Sequence, residues 1–185
     1  MEEAAIAGLP LRQAEALCPA VITIPSDSPG ASRLAERIAA ALYDLAPAVE
    51  VGLNAQAWVD LAGVPRAPLV VAETRRRLRA TVGVEPRLGL APGPFTAALA
   101  ASRAAPGRLI RVEDPMAFLA PLPIRVLGLN PEQLERLDLL GLRTLGAVAA
   151  LGPRQLQSQL GNAGRTAALL ATSPLPEQRF VLTPA

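Results

Sequence analysis

The chain has 185 residues, of which 51% are hydrophobic and 18% are charged, and its formal net charge is only +2. This composition is typical of a folded protein of one or two small domains and excludes a disordered chain. The sequence contains no histidine and a single cysteine, Cys18, which excludes histidine-based catalytic triads, thiolate metal clusters and an intrachain disulfide.

The first half of the sequence alternates helical and strand patterns. Apolar spacing predicts helices over residues 11–18, 27–46, 69–82 and 94–103, and β-branched or alternating runs predict strands over residues 20–24, 48–53, 56–61, 84–90 and 108–112. The short link Asn54–Ala55 predicts a tight hairpin. Together these elements predict an α+β domain with helices on one face of the sheet.

Four arginines crowd the helix predicted over residues 69–82: Arg75, Arg76, Arg77 and Arg79. Several guanidinium groups on one helix could contact phosphates or a protein. A solvated helix face explains such a run better, and this is the prediction that we make for it.

From residue 114 onward the pattern predicts only helices, over residues 115–121, 131–140, 143–151, 153–160 and 163–171, separated by glycine and proline breaks. The predicted organisation is therefore an α+β domain over residues 1–113, a helical domain over residues 114–172, and a proline-rich tail or linker over residues 173–185.

Two glycine turns in the helical part are typical of helix-hairpin-helix units, which bind DNA. In such units the backbone N–H groups of the turn and of the next helix start point at one phosphate. The candidate DNA-binding residues are Gly128, Leu129 and Asn130 at the first turn, and Gly161, Asn162, Gly164 and Arg165 at the second. The alternative is that both turns are ordinary helix caps.

A series of sequence blocks resembles the Y-family translesion DNA polymerases. Residues 7–19 (AGLPLRQAEALCP) resemble the fingers segment of that family, and residues 46–63 (APAVEVGLNAQAWVDLAG) resemble its palm signature. Residues 84–101 and 105–110 resemble later palm segments, and residues 122–171 resemble the thumb with its helix-hairpin-helix units. The resemblance covers about residues 8–172 and implies a palm and fingers remnant followed by a thumb-like domain.

The same resemblance identifies departures at the family's catalytic positions. It implies two Mg²⁺ ions held by palm carboxylates, but the acidic pair falls on Ala55 and Gln56, and the lysine for the triphosphate falls on Ala98. A methyl group and an amide are not the anionic oxygen ligands that Mg²⁺ prefers. The resemblance therefore implies the inactive ImuB-type branch, truncated at both ends, with no catalytic residue, metal or cofactor, and we expect that the chain is not an enzyme.

The function implied is that of a non-catalytic, cytoplasmic accessory in DNA repair, translesion synthesis and SOS mutagenesis. We expect weak DNA binding without sequence specificity, no membrane association, and self-association at an exposed sheet edge. The implied protein partners are a RecA-like protein, a sliding clamp and a replicative-type polymerase. Residues 178–182 weakly resemble a clamp-binding peptide. Two alternatives remain open: one part of a split translesion polymerase, and a helix-hairpin-helix module on an unrelated α/β domain.

Overall fold

The structure, a computed structural model, describes residues 10–46, 48–52 and 54–172. The start of the fingers-like segment (residues 7–9), the predicted tail (residues 173–185) and the clamp-peptide match within it lie outside the described residues. The helices are α1 Leu11–Leu17, α2 Ser28–Leu42, α3 Ala67–Val82, α4 Pro94–Arg103, α5 Pro115–Leu119, a 3₁₀ turn Ile124–Leu127, α6 Pro131–Leu139, α7 Leu145–Leu151, α8 Pro153–Leu160 and α9 Asn162–Thr172. The strands are β1 Ala48–Val51, β2 Ala57–Asp60, β3 Leu88–Leu90 and β4 Leu109–Arg111.

Helix boundaries follow local capping signals. The Asp27 carboxylate accepts a hydrogen bond from the Gly30 amide at 2.8 Å and so caps α2. Helix α3 ends at Gly83, whose positive φ of 79° is a backbone conformation that glycine adopts without strain. Helices α4 and α8 each have a proline in the first turn, where a missing N–H has no intrahelical partner to lose.

The strands form two separate two-stranded sheets. Strands β1 and β2 are antiparallel, with Ala48 opposite Asp60 and Val51 opposite Ala57. The hairpin forms, but β1 ends at Val51 and β2 begins at Ala57, so the connection is longer than the predicted link Asn54–Ala55. Strands β3 and β4 are parallel and are connected through α4. A side chain on Gly89 of β3 would lie 2.0 Å from the carbonyl oxygen of Ala97, so a glycine is needed for α4 to pack on this strand.

The residues that the structure describes form two hydrophobic clusters. The hairpin cluster joins α2, α3 and the β1–β2 hairpin through Ile38, Ala41, Leu42, Val49 and Leu78. The helical cluster lies among α5 to α9 and the 3₁₀ turn, and its fully buried side chains include Leu119, Leu137, Leu145, Val148 and Leu156. Phe95 and Leu99 of α4 pack against the helical cluster. The fold is α+β, and the predicted fold class is confirmed.

One predicted strand, over residues 20–24, is wrong. The structure leaves this segment outside any helix or strand, and Ile22 and Ile24 are 84% and 82% exposed. The β-branched residues favour an extended backbone, but a strand also needs a neighbouring strand for its hydrogen bonds, and the described residues supply none here. In the part of the chain that the structure describes, no helix combines the length and the apolar character that crossing a bilayer requires.

Candidate nucleic-acid interface

The turn between β1 and β2 carries the two residues that the resemblance places at the metal positions. The Gly52 amide donates to the Gln56 carbonyl at 2.8 Å, and the Gln56 amide donates to the Asn54 side chain at 3.4 Å. Ala55 has a φ of 58°, which is uncommon for a residue other than glycine or asparagine. Ala55 and Gln56 are exposed.

The donors at this turn do not fit a divalent cation. Ala55 has no ligand atom, and Gln56 offers a neutral amide oxygen where Mg²⁺ favours carboxylates. Within residues 10–46, 48–52 and 54–172, no three His, Cys, Asp or Glu side chains group as metal ligands would. Ala98, at the predicted triphosphate position, lies half-buried on α4 and has no charge to offer. The DNA-binding residues that the sequence predicts all lie in the helical part, at two turns.

At the first predicted DNA turn, the polar groups are used to cap a helix. Gly128 ends the 3₁₀ turn with a φ of 66°. The Asn130 side chain accepts from the Gln133 amide at 2.8 Å, and the Gln133 side chain accepts from the Asn130 amide at 3.1 Å, which is a capping box. Leu129 packs against the helical cluster, and Glu132 adds negative charge to the first turn of α6. This turn is therefore a poor phosphate site.

The second predicted DNA turn, between α8 and α9, is mostly exposed, although its Gly161 amide donates to the Gln157 carbonyl oxygen at 2.8 Å. Gly161 ends α8 with a φ of 61°, and Gly161, Asn162 and Arg165 are exposed. Gly164 is different, because it is buried inside α9. A Cβ on Gly164 would lie 2.0 Å from the Leu156 carbonyl oxygen, so glycine is needed there for α9 to pack on α8, not for a phosphate to approach.

The only charged side chains in the segment that contains α8 and α9 are positive. Residues 139–172 include no Asp or Glu and three arginines, Arg143, Arg154 and Arg165. Arg143 is bonded to Asp138 at 2.8 Å. Arg154 and Arg165 are exposed and have no ion-pair partner among the described residues. Arg154 is not among the predicted site residues. The sequence could have indicated it, because residues 139–172 contain no Asp or Glu to pair with it.

A family model matches the first part of the chain. It is described as the impB/mucB/samB family and matches residues 5–102, which is more than half of the 185 residues. Curated relatives include DNA polymerase IV of Dehalococcoides mccartyi, 33% identical over 83% of this chain, and DNA polymerase IV of Moorella thermoacetica, 32% identical over 85% of it. The chain spans 41% of the length of each of these two relatives.

Solved structures of similar fold include a DinB family error-prone DNA polymerase from Sulfolobus solfataricus, with a TM-score of 0.71 and 22% identity. That match covers 89% of this chain and 52% of the other. The insertion ternary complex of Dbh DNA polymerase gives a TM-score of 0.70 at 20% identity, covering 91% of this chain and 53% of the other. At such identities the likeness establishes the fold, which is that of Y-family polymerases.

The expectation that this chain is not an enzyme is wrong on these comparisons, because the curated relatives are named as an enzyme, DNA polymerase IV. That expectation was drawn from Ala55 and Gln56, two side chains of one turn. Two side chains are too narrow a basis against a likeness that extends over 83% of the chain. Because the family model matches more than half of the sequence and the fold agrees along most of it, this chain belongs to the impB/mucB/samB family, the Y family of DNA polymerases.

Proposed function

We propose that this protein acts in DNA-damage tolerance as a Y-family polymerase-type protein, and that residues 114–172 hold DNA by its phosphates at the α8–α9 turn. The observation that carries the proposal is the likeness to relatives named DNA polymerase IV over more than four fifths of the chain. A protein of this class must hold DNA while it acts, so the chain needs a surface that attracts phosphate.

The α8–α9 turn has two properties that a phosphate site needs. Asn162 is exposed at the first position of α9, where the helix dipole favours an anion, whereas the Gly161 amide is already bonded to the Gln157 carbonyl oxygen at 2.8 Å. Arg165 lies one turn into α9, and no carboxylate in residues 139–172 competes for it. Arg154 lies at the opposite end of α8, about 10 Å along the helix axis from the turn, and would contact a further phosphate. Contacts of this kind position DNA without recognising its sequence.

A second candidate function is one part of a split translesion polymerase, in which another polypeptide supplies the catalytic carboxylates. The poor fit of Ala55 and Gln56 to a divalent cation favours this second function. The relatives are named as an enzyme, so a polymerase that contains this chain would need its metal-binding carboxylates from another source. The ImuB-type assignment depends on the same two residues and stays a prediction. The RecA-like protein, the sliding clamp, the replicative-type polymerase and self-association at a sheet edge also stay predictions.

The test of the main proposal is DNA binding by the full chain, measured by fluorescence anisotropy with a labelled primer–template over a series of salt concentrations. We expect Arg165→Gln and Arg154→Gln each to weaken binding and to lower the slope of log affinity against log salt by about 1, since each removes about one phosphate contact. Arg33→Gln is the matched control, because Arg33 is exposed on α2, away from the helical cluster.

Equal weakening by Arg33→Gln would mean that only net charge matters, and the assignment of the α8–α9 turn would be wrong. Absence of binding by the unaltered chain at low salt, where phosphate contacts are strongest, would refute the DNA-holding role itself.

A further inference from the structure

The arginine run on α3 has two separate roles in the structure. Arg77 is directed toward α2, where its guanidinium is bonded to Asp44 and to the Ala41 carbonyl oxygen at 3.4 Å, and to Glu73 on its own helix at 2.8 Å. Arg77 is half-buried and joins the two helices of the hairpin cluster. The other three arginines do not take part in that contact.

Arg75, Arg76 and Arg79 line an open cavity of about 840 Å³ on the exposed face of α3. Arg79 follows Arg76 by three residues and Arg75 by four, which puts all three on one side of the helix. Ala72 and Ala80, four residues before and four residues after Arg76, also line the cavity and leave room beside the long arginine side chains. Glu85, after the end of α3, completes the lining.

Each of the three guanidinium groups is held by a protein acceptor. Arg75 donates to the Gly107 carbonyl oxygen at 3.2 Å, Arg76 is paired with Glu73, and Arg79 is paired with Glu85 at 3.0 Å. A guanidinium has five N–H donors, so one anchor leaves others available to a ligand. Anchored side chains also lose less conformational entropy when they bind, which favours a ligand.

The charge balance of the cavity favours an anion that carries several oxygens. Three arginines face two carboxylates, Glu85 in the lining and Glu73 beside it, which leaves an excess of positive charge, and the side chains of Arg76 and Arg79 are 70% and 74% exposed. Guanidinium groups bind phosphate oxygens through paired N–H donors. We propose that this α3 surface is a second anion site of the protein and that it binds phosphate groups, either of a nucleic-acid backbone or of a free polyphosphate.

This site is independent of the DNA-holding role of the α8–α9 turn. Helix α3 packs in the hairpin cluster, and α8 and α9 pack in the helical cluster, so the two surfaces share no residue. Loss of one surface is therefore expected to leave the other intact.

The experiment measures binding of two probes to the full chain without added metal: inorganic tripolyphosphate by calorimetry, and a labelled single-stranded oligonucleotide by anisotropy. The variant carries Arg75→Gln, Arg76→Gln and Arg79→Gln. The matched control carries Arg33→Gln, Arg87→Gln and Arg111→Gln, which removes the same charge from three exposed arginines outside the cavity. For the oligonucleotide, all proteins also carry Arg154→Gln and Arg165→Gln, so that the α8–α9 turn does not mask the effect.

We expect the cavity variant to lose at least about tenfold in affinity for one probe or both, while the control loses less than about threefold. Loss for tripolyphosphate identifies a free polyphosphate as a ligand, and loss for the oligonucleotide alone identifies nucleic acid. The single change Arg79→Gln, at a side chain that is 74% exposed, gives a second variant with little risk to folding. Equal losses in variant and control, no binding of either probe, or tighter binding of poly-glutamate than of phosphate would overturn the proposal.

Discussion

Glu73 on α3 lies between two guanidinium groups, and its ionisation is coupled to folding. Hydrogen bonds from Arg76 and then Arg77 lower the pKa of Glu73 from 4.5 to about 2. A carboxylate whose pKa is lower in the folded state stabilises that state fully above its unfolded pKa. The stabilisation is then lost as the pH falls from about 4.5 toward about 2.

We therefore expect Glu73→Gln to destabilise the protein most at neutral pH. The variant and the unaltered protein should differ less in their free energy of unfolding as the pH falls below about 4.5. Protonation of Glu73 then removes from the unaltered protein the same ion pairs that the substitution removes. Denaturant unfolding at a series of pH values measures this. Glu135→Gln is the control, because Glu135 is an exposed helical carboxylate that forms no ion pair with the described residues. A difference for Glu73→Gln that stays constant with pH would contradict the coupling.

At the candidate site, the sequence predicts where a turn lies but not which of its residues are exposed. The glycine pattern correctly places a turn at Gly161, because a helix end with positive φ is a local requirement. It cannot separate Gly161, which is exposed, from Gly164, which is buried against Leu156, since that contact depends on how α9 packs on α8. The capping box at Asn130 and Gln133 is present in the sequence as well, but its hydrogen bonds occupy polar groups that the sequence analysis predicts to contact DNA.

At the scale of the elements, the contact between α8 and α9 makes a direct prediction for Gly164→Ala. Alanine normally favours a helix over glycine by ~1 kcal/mol. Here its Cβ would lie 2.0 Å from the Leu156 carbonyl oxygen and 2.5 Å from its carbonyl carbon, which are backbone atoms that cannot move alone. We expect the steric clash to outweigh the higher helix propensity of alanine, so that the free energy of unfolding falls by about 1–3 kcal/mol. Denaturant titration measures this change.

Gly146→Ala is the matched comparison for this prediction. At the start of α7, its Cβ would meet the Ala120 carbonyl oxygen at 3.0 Å, a contact that a small shift relieves. We expect a smaller loss than at Gly164. A gain in stability for Gly164→Ala would mean that the two helices are not packed as closely as the structure has them.

Elements bounded by local signals were the ones that the sequence predicted best. Helices α4 and α8 agree with their predicted ranges, because each begins at a proline and ends where a cap or glycine stops it. The strand predicted over residues 20–24 fails because a strand depends on a partner elsewhere in the chain. The parallel pairing of β3 with β4 has the same non-local origin, and the sequence pattern did not indicate it.

At the scale of the whole molecule, the described residues form two hydrophobic clusters that share no residue, and this division bears on how the chain unfolds. The hairpin cluster and its packed neighbours lie within residues 34–82, and the helical cluster with its neighbours lies within residues 95–171. The predicted boundary at residues 113–114 does not coincide with this division, because Phe95 and Leu99 of α4 pack on the helical cluster. Helix α4 therefore links the β3–β4 sheet to the helical part.

We expect Leu42→Ala and Leu156→Ala to loosen different parts of the protein. Both side chains are fully buried, one in each cluster, so each substitution should cost about 2–5 kcal/mol through lost burial and the cavity left behind. Amide hydrogen exchange, followed by mass spectrometry, locates the loss. Leu156→Ala should speed exchange mainly in α7 to α9, and Leu42→Ala mainly in α2 and α3, because local openings follow the packing unit that is weakened. Equal acceleration in both regions by either substitution would mean that the chain opens as one cooperative unit, and that the contacts of α4 couple the two clusters completely.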